Sequence, residues 1–257
     1  MGKTIVIANQ KGGVGKTTTA LEICSCLKAK KKNVILIDFD QQCNSTFSMG
    51  VEEKNTIYDV FKEKCALPDA IQKACGFDGI AGDARLSELG ETFSLNQDND
   101  NIYLLTDVCD ALKEQYDFVV IDTHPDRNLA LNMAYAAADY VIVPSDASKY
   151  SLDGIVEIEN DIAKLRNTRS KISHAHIIGL LLIANQNNNV DSVALDILSD
   201  IAAAIDGDVF VDSVRISTKV KQSTYSVGTM QNYDKKGNAA TDYRRITKKI
   251  INRAVEE

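Results

Sequence analysis

The chain contains no tryptophan and only three prolines among its 257 residues. This scarcity of proline excludes proline-rich disordered or fibrous chains, and 44% hydrophobic with 25% charged residues is typical of an ordinary globular protein. A long hydrophobic run is also missing at the start, where the apolar stretch ends before Asn9. We therefore predict neither a secretory signal nor a membrane span, and we expect a cytoplasmic protein.

The chain has six cysteines, and no two of them have the CxxC spacing of a metal or redox motif. In a reducing compartment we interpret them as free thiols rather than metal ligands or disulfides. Repeats, low-complexity tracts and linkers are lacking too, so we predict one domain over residues 1–257. A domain of this length buries about three quarters of its unfolded surface, enough for a self-sufficient core.

Short β-branched hydrophobic runs alternate with longer segments of helical period. This pattern predicts an α/β fold with a mostly parallel twisted sheet and helices on both faces. The predicted strands are 4–8, 33–38, 77–81, 118–122, 140–144 and 177–184. The predicted helices are 16–30, 102–115, 128–137, 152–166, 193–204 and 241–257, and the longest predicted surface loop is 82–101.

A glycine-rich stretch, QKGGVGKT, joins the first predicted strand to the first helix. Glycines let backbone N–H groups turn inward around phosphate oxygens, and the helix N-terminus adds its dipole. Lys16 is expected to reach the β- and γ-phosphates, and Thr17 to offer a hydroxyl to Mg²⁺. We predict a binding site for ATP and Mg²⁺ formed by Lys11, Gly12, Gly13, Val14, Gly15, Lys16, Thr17 and Thr18.

Carboxylates stand where two predicted strands end. Asp38 and Asp40 lie at the end of the strand at 33–38, and Asp122 ends the strand at 118–122. Ligands of α/β folds bind at the carboxyl ends of the strands, so these side chains belong to the same predicted site. A hydrophobic strand ending in Asp is weak evidence alone, but behind a phosphate loop it predicts that Asp122 holds Mg²⁺ directly or through water.

The longer stretch NQKGGVGKTTTA resembles the deviant Walker A motif of the ParA/MinD group of P-loop ATPases. Gln10 occupies the position of the first glycine in the standard pattern, and an additional lysine, Lys11, follows it. The resemblance implies a P-loop NTPase fold and weak ATP hydrolysis. It also implies that Lys11 crosses a homodimer interface to the partner's nucleotide and acts with Lys16 in catalysis.

DFDQQCNST is similar to the DxDPQGNxT stretch of the same family. The similarity implies that Asp40 positions the attacking water and that Asp38 supports the magnesium shell. Gln41 replaces the usual proline and Cys43 the usual glycine, which puts the local loop geometry in doubt.

Two further positions stand out against the family pattern. After Asp122 the usual Pro-Pro pair gives way to Thr123-His124-Pro125-Asp126, and we expect His124 and Asp126 to affect hydrolysis or its stimulation. Asn185 matches the position of an adenine-reading amide in relatives. An Asn side chain suits this role because it both donates and accepts, as the edge of adenine requires. The neighbouring run of asparagines leaves the register open, and an ordinary polar loop is the alternative.

The segment 213–254 carries ten Lys or Arg against two Asp, although the whole chain has a net charge of −7. Concentrated basic residues are typical of sequence-independent phosphate binding, while a solvated surface is the ordinary alternative. The arrangement resembles ParA, which implies nonspecific DNA binding in the ATP state and a nucleoid location. The candidate residues are Arg215, Lys219, Lys221, Arg244, Arg245, Lys248 and Lys249.

The resemblance is to the short ParA form, with no room for a helix-turn-helix before Lys3, and it implies a separate ParB-like centromere-binding adaptor. The function implied is plasmid or chromosome partition. One alternative is a MinD-like membrane-associated positioning ATPase, although the final RRITKKIINRAVEE lacks Phe, Trp and Leu for insertion, so no membrane partner is expected. Another is a metabolic relative, either an iron-protein reductase or a biotin-pathway ligase.

Overall fold

The fold is organised around a central sheet, seen here in a computed structural model that describes residues 1–89, 99–223 and 225–255. Within these residues the sheet has eight strands: β1 (Lys3–Ile7), β2 (Val34–Phe39), β3 (Gln72–Lys73), β4 (Asp78–Ile80), β5 (Phe118–Thr123), β6 (Tyr140–Ser145), β7 (His176–Asn185) and β8 (Phe210–Arg215). Their spatial order is β3-β4-β2-β5-β1-β6-β7-β8. All neighbours pair in parallel except β3 and β4, which confirms the predicted α/β class.

Helices connect the strands and cover the sheet. They are α1 (Lys16–Ala29), α2 (Asn44–Met49), α3 (Ile57–Phe61), α4 (Leu67–Ala70), α5 (Leu104–Lys113), α6 (Leu129–Ala137), α7 (Lys149–Arg166), α8 (Asn189–Ala204), α9 (Thr218–Ser223), α10 (Met230–Tyr233) and α11 (Asn238–Val255). Short 3₁₀ helices occupy Ala84–Glu88 and Asn99–Tyr103.

Successive side chains of the central strands point to opposite faces of the sheet, so each strand serves two hydrophobic layers. Ile5 and Ile7 of β1 face the layer built with α1 and α11, whereas Val6 faces the layer built with α5, α6, α7 and α8. The central strands are therefore buried along their whole length, and their polar residues lie at their carboxyl ends.

Two strands were not predicted, and both have weak hydrophobic patterns. β8 contains Asp212 and Ser213 and is only partly buried, because it lies at one edge of the sheet. β3 is two residues long and pairs only with β4 at the opposite edge. The short helices α2, α3, α4, α9 and α10 carry too few residues for a helical period to be visible.

Some predicted helices begin later than the observed ones. α8 starts four residues before the predicted 193, because Asn188 forms a capping box in which its side chain and that of Asp191 each accept an N–H from the other's backbone. α7 and α11 each start three residues before their predicted positions. The predicted loop at 82–101 contains two 3₁₀ segments, while its residues 90–98 and the predicted helix end at 256–257 lie outside the described residues.

The final helix, α11, is amphipathic, and its apolar side packs into the protein. Ile246 and Ile250 are fully buried, and the Tyr243 hydroxyl lies 3.0 Å from Thr19 Oγ1 of α1. In the described part of the chain, no helix combines the length and the apolar character needed to cross a membrane.

Candidate functional site

The stretch between β1 and α1 forms an open loop at the carboxyl edge of the sheet. Gly13 and Gly15 have φ values of +76° and +86°, a left-handed conformation that favours glycine. Gly15 is the N-cap residue of α1 and no side chain caps it among the described residues, so the first N–H groups of α1 remain available. Such a helix start binds anions.

Lys16 opens α1, and its side chain is buried. Its Nζ donates to the carbonyl oxygen of Lys11 at 3.2 Å, which bends the lysine back over the loop. Burial lowers the pKa of the Lys16 ammonium, while the charges of Asp122 and Asp40 act in the opposite direction. An ammonium in this position is ready to bind a phosphate, whose charge would compensate its lost hydration.

Asp122 lies in β5, and its carboxylate is completely buried. Ser45 Oγ donates to Asp122 Oδ2 at 2.6 Å, whereas Asp122 Oδ1 has no hydrogen-bond partner among the described residues. Burial raises the pKa of Asp122 to about 6, although hydrogen bonds from Ser45 and Thr17 lower it. A free carboxylate oxygen beside a threonine hydroxyl fits the ligand set that Mg²⁺ takes together with phosphate oxygens and water.

The described residues contain no group of three or more His, Cys, Asp or Glu side chains arranged to hold a metal ion. Mg²⁺ rarely uses a cage made only of protein ligands and keeps several water or phosphate oxygens. The arrangement around Asp122 therefore suits a cation that arrives with a phosphate ligand.

Asp38 pairs in register with Asp122 on the neighbouring strand and is also fully buried. Its Oδ2 accepts two hydrogen bonds of 2.7 Å, from the backbone N–H and the hydroxyl of Thr46, and its Oδ1 accepts one of 3.2 Å from the Asp40 N–H. Burial, followed by repulsion from Asp122, raises the pKa of Asp38 to about 7. Asp38 thus holds the loop between β2 and α2 in place, and its predicted support of a magnesium shell stays a prediction.

Asp40 follows β2 and lines the cleft beside the phosphate loop. Its Oδ1 accepts the Gln42 N–H at 2.8 Å, which fixes the orientation of the carboxylate. Asp38 and Asp40 therefore serve different surroundings, because Asp38 faces the loop backbone while Asp40 faces the cleft.

Cys43 adopts a left-handed backbone conformation with φ of +53° as the N-cap residue of α2. The similar family stretch has glycine at this position, and glycine adopts this conformation without a steric penalty. Cys43 therefore holds, with some strain, a conformation that a glycine would adopt freely.

Lys11 does not line the cleft of its own chain. Its Nζ lies 2.5 Å from Asp146 Oδ2 and donates to Ser148 Oγ at 2.9 Å, both after β6. Burial of Asp146 favours its neutral form, but hydrogen bonds from Lys11 and Ser148 outweigh this and hold its pKa well below the usual range. Lys11 is thus directed away from the phosphate loop that contains it.

Asn185 ends β7 and is buried, with its side chain engaged inside the protein. Its Nδ2 donates to Ser213 Oγ at 3.0 Å and its Oδ1 accepts the Asn187 N–H at 2.7 Å. β7 approaches the phosphate loop, since a Cβ on Gly15 would lie 3.3 Å from Ile183 Cγ2. Asn185 does not line the cleft, and its contact with adenine stays a prediction.

The cleft has a volume of about 450 Å³ and gathers most of the predicted site. The predicted site residues that line the cleft are Gly12, Gly13, Gly15, Lys16, Thr17, Thr18 and Asp40. Val14 of the same loop is buried. Sequence reasoning missed Ser45, which holds Asp122, and the Asp146–Ser148 pair, which holds Lys11. The only available signal for Ser45 was its place in the DFDQQCNST stretch.

Several of the basic residues proposed for DNA are engaged in ion pairs. Arg215 and Arg245 each lie 2.8 Å from the buried carboxylate of Asp242, and Lys249 lies 2.8 Å from Asp212. Lys219 pairs with Asp234 at 3.2 Å, and Arg244 donates to the Gln231 side chain at 2.7 Å. Lys248 is exposed and makes no ion pair with the described residues, and Lys221 is exposed.

Known proteins resemble this chain over most of its length. A family model described as an AAA domain matches residues 2–174. The chromosome partitioning protein ParA of Caulobacter vibrioides is 30% identical over 258 residues, covering 98% of this chain and 94% of that protein.

Solved structures of similar fold include a putative plasmid partition protein from Borrelia burgdorferi B31 bound to AMPPNP. It has a TM-score of 0.81 and 24% identity, and covers 98% of this chain and 100% of that one. Cobyrinic acid a,c-diamide synthase from Mycobacterium smegmatis, with a bound ATP analog and magnesium, has a TM-score of 0.80 and 21% identity, covering 98% and 94%. At these identities the two likenesses show the fold.

Proposed function

Because this chain belongs to the ParA-type family of P-loop ATPases, we propose that it is an ATP-dependent partition switch. In this proposal the chain binds ATP and Mg²⁺, forms a homodimer, and binds nonspecific DNA in that state. A ParB-like centromere-binding adaptor stimulates hydrolysis and releases the dimer from the nucleoid. Repeated binding and release moves a plasmid or a chromosomal region.

The observation that carries the proposal is the placement of two lysines in one phosphate loop. Lys16 is buried over the loop, whereas Lys11 points outward to Asp146 with 39% of its side chain exposed. A partly exposed lysine directed away from its own phosphate loop is available to a nucleotide in a facing copy of the chain. Dimerisation thus becomes dependent on the triphosphate, because its charge attracts the second ammonium.

The chemistry proposed for the site is hydrolysis of the terminal phosphate. The loop N–H groups from Gly12 to Thr18 and the Lys16 ammonium bind the phosphates, and Asp40 orients the attacking water. Thr17 and Asp122 would hold Mg²⁺, which neutralises phosphate charge when bound. Asp38 fixes the loop that carries Asp40 and Ser45. Because Ser45 donates to Asp122, the carboxylates of both Asp40 and Asp122 keep their positions.

The DNA contact is proposed to use the basic surface around α9 and α11. Four of its candidate residues are already paired with carboxylates, so the contact relies on cations that lack such partners, Lys248 above all. Phosphate binding by lysine and arginine depends strongly on salt because it releases counterions.

The membrane-positioning alternative requires α11 to insert its apolar side into a bilayer. That side is already buried against α1 and the sheet, where Ile246 and Ile250 have no exposed surface. Sedimentation with liposomes in the presence of ATP separates the two functions, and cosedimentation would favour the alternative.

The test compares oligomeric state and DNA binding with ATP, with ADP and without nucleotide. With ATP, Asp40→Ala is expected to bind nucleotide without turnover, to elute as a dimer and to retain duplex DNA. Lys16→Ala is expected to lose nucleotide binding, and Lys11→Ala to keep it but remain a monomer. Equal DNA retention in all three nucleotide conditions would contradict the proposal.

A further inference from the structure

His124 lies in the cleft beside the phosphate loop, where the similar family stretch has the first proline of its Pro-Pro pair. Its side chain is only 14% exposed. A partly buried imidazole at this place has two nitrogens that require partners. The orientation of the ring therefore determines what it offers to a ligand in the cleft.

The N–H of Asp126 donates to His124 Nδ1 at 3.2 Å. A backbone N–H cannot accept, so Nδ1 must be the unprotonated nitrogen of the ring, and the neutral ring carries its proton on Nε2. The carboxylate of Asp126 lies 3.3 Å from the same nitrogen, but this side chain is 68% exposed and does not need the imidazole as a hydrogen-bond donor. The backbone contact fixes Nε2 as a donor.

Nε2 points toward Asp40. It lies 3.9 Å from Asp40 Oδ1, which is too long for a direct hydrogen bond, and a single water molecule beside the two atoms can bond to both. The Gln41 side-chain nitrogen lies 3.3 Å from Nε2. Because two donors cannot bond, the Gln41 amide must turn its oxygen to the ring, where it shares the Nε2–H with the water.

We propose that His124 and Asp40 together hold the attacking water of ATP hydrolysis. The Nε2–H donates to the water oxygen, and Asp40 accepts one of the water protons, so the remaining lone pair is aimed at the terminal phosphorus. The water oxygen then bonds to this phosphorus while the bridging P–O bond breaks and leaves its electron pair on ADP. One water proton stays on the phosphate produced, and the other, which was hydrogen-bonded to Asp40, leaves through that carboxylate to solvent. This role of His124 rests on the proposed role of Asp40.

Three substitutions at His124 test the geometry. His124→Ala is expected to lower kcat at least about tenfold while KM changes less than twofold, because only the orientation of the water is lost. His124→Gln is expected to restore most of kcat, since its amide nitrogen reaches the position of Nε2. His124→Asn is the matched control, because its amide nitrogen reaches only the position of Nδ1, and its kcat should stay as low as that of His124→Ala.

Two further measurements do not depend on turnover. The dissociation constant for a nonhydrolysable ATP analogue is expected to be the same in the wild type and in His124→Ala. Nitrogen NMR of a chain with only three histidines should find the His124 proton on Nε2. If the chain fails to bind the analogue at all, the proposed function fails. If it binds but His124→Ala hydrolyses ATP like the wild type, only the role of His124 fails.

Other outcomes also overturn the role of His124. They are equal kcat values for His124→Gln and His124→Asn, a rise in the analogue's dissociation constant that accounts for the whole loss in kcat/KM, and a proton on Nδ1. The double variant Asp40→Asn/His124→Ala should lose little more than Asp40→Asn alone, because both side chains act on one water. Full additivity of the two losses would contradict a shared water.

Discussion

Cys43 occupies a backbone conformation that suits glycine better. At φ of +53° the Cβ of an L-residue crowds the backbone, and the side chain gains only a weak 3.7 Å contact from Sγ to the Gln41 carbonyl oxygen. Cys43→Gly is expected to raise the free energy of unfolding by about 0.5 to 1 kcal/mol, measured by urea denaturation. Cys43→Ala keeps the Cβ and should give no such gain. Destabilisation by Cys43→Gly would show that the cysteine side chain contributes more than the strain costs.

Lys11 must leave Asp146 before it can contact a partner's nucleotide. The pair is partly exposed on both sides, so its loss is worth less than about 1 kcal/mol. Asp146→Asn is therefore expected to lower the concentration for half-dimerisation with ATP by about two- to fivefold, measured by analytical ultracentrifugation. Ser148→Ala keeps the ion pair and should change the midpoint less. A weaker dimer in Asp146→Asn would indicate that Asp146 acts at the interface itself.

At the scale of single residues, the sequence predicts the site of those side chains whose partners are nearby in the chain. The phosphate loop and Asp40 follow from short motifs, and the structure gathers them in one cleft. The contact of Lys11 with Asp146 spans 135 residues, and that of Ser45 with Asp122 spans 77. Such contacts depend on strand order, which the residue pattern alone does not specify.

Among the elements, the six predicted strands all lie in the sheet, and each end is within one residue of its predicted position. Continuous burial on both faces makes these strands visible as hydrophobic runs. The missed β8 is half-buried at the sheet edge and contains Asp212, so it lacks such a run. Helix starts were predicted less well, because capping by Asn188 is a side-chain contact rather than a hydrophobic period.

Glu22 connects α1 to α10, and we expect it to make the stability of the fold depend on pH. Its carboxylate accepts hydrogen bonds from the N–H of Met230 and the side chain of Gln231, yet burial raises its pKa to about 7. The folded chain thus binds this proton more tightly than the unfolded chain, whose Glu has a pKa of 4.5. The stabilisation is complete below the unfolded pKa and is lost as pH rises through about 7.

Glu22→Gln is expected to remove this dependence. Between the two pKa values, the free energy of unfolding of the wild type should fall by up to about 1.4 kcal/mol per pH unit relative to the variant. Urea denaturation across this range measures the difference, and Glu53→Gln, at an exposed site, is the matched control. Parallel profiles for the wild type and Glu22→Gln would show that Glu22 is ionised throughout.

The charge of a surface on the molecule depends on which charged side chains lie next to each other in space. The count over 213–254 omits Asp208 and Asp212, which pair with Arg253, Arg245 and Lys249 of α11. The basic surface is therefore less positive than the segment suggests, although Lys235, Lys236 and Lys248 remain exposed. A sequence window measures local composition, whereas a binding surface is composed of neighbouring elements.

This distribution predicts two classes of basic residue. Lys248→Ala is expected to weaken DNA binding in the ATP state and to lower the slope of log K against log salt by about 0.9, because one phosphate contact is lost. Arg215→Ala instead removes a partner of the fully buried Asp242 and should lower Tm. Fluorescence anisotropy with a duplex over about 50 to 200 mM salt, with melting curves for both variants, checks the distinction. A normal slope in Lys248→Ala together with a normal Tm in Arg215→Ala would contradict it. The exposed lysine would then not contact a DNA phosphate, and the paired arginine would not stabilise the fold.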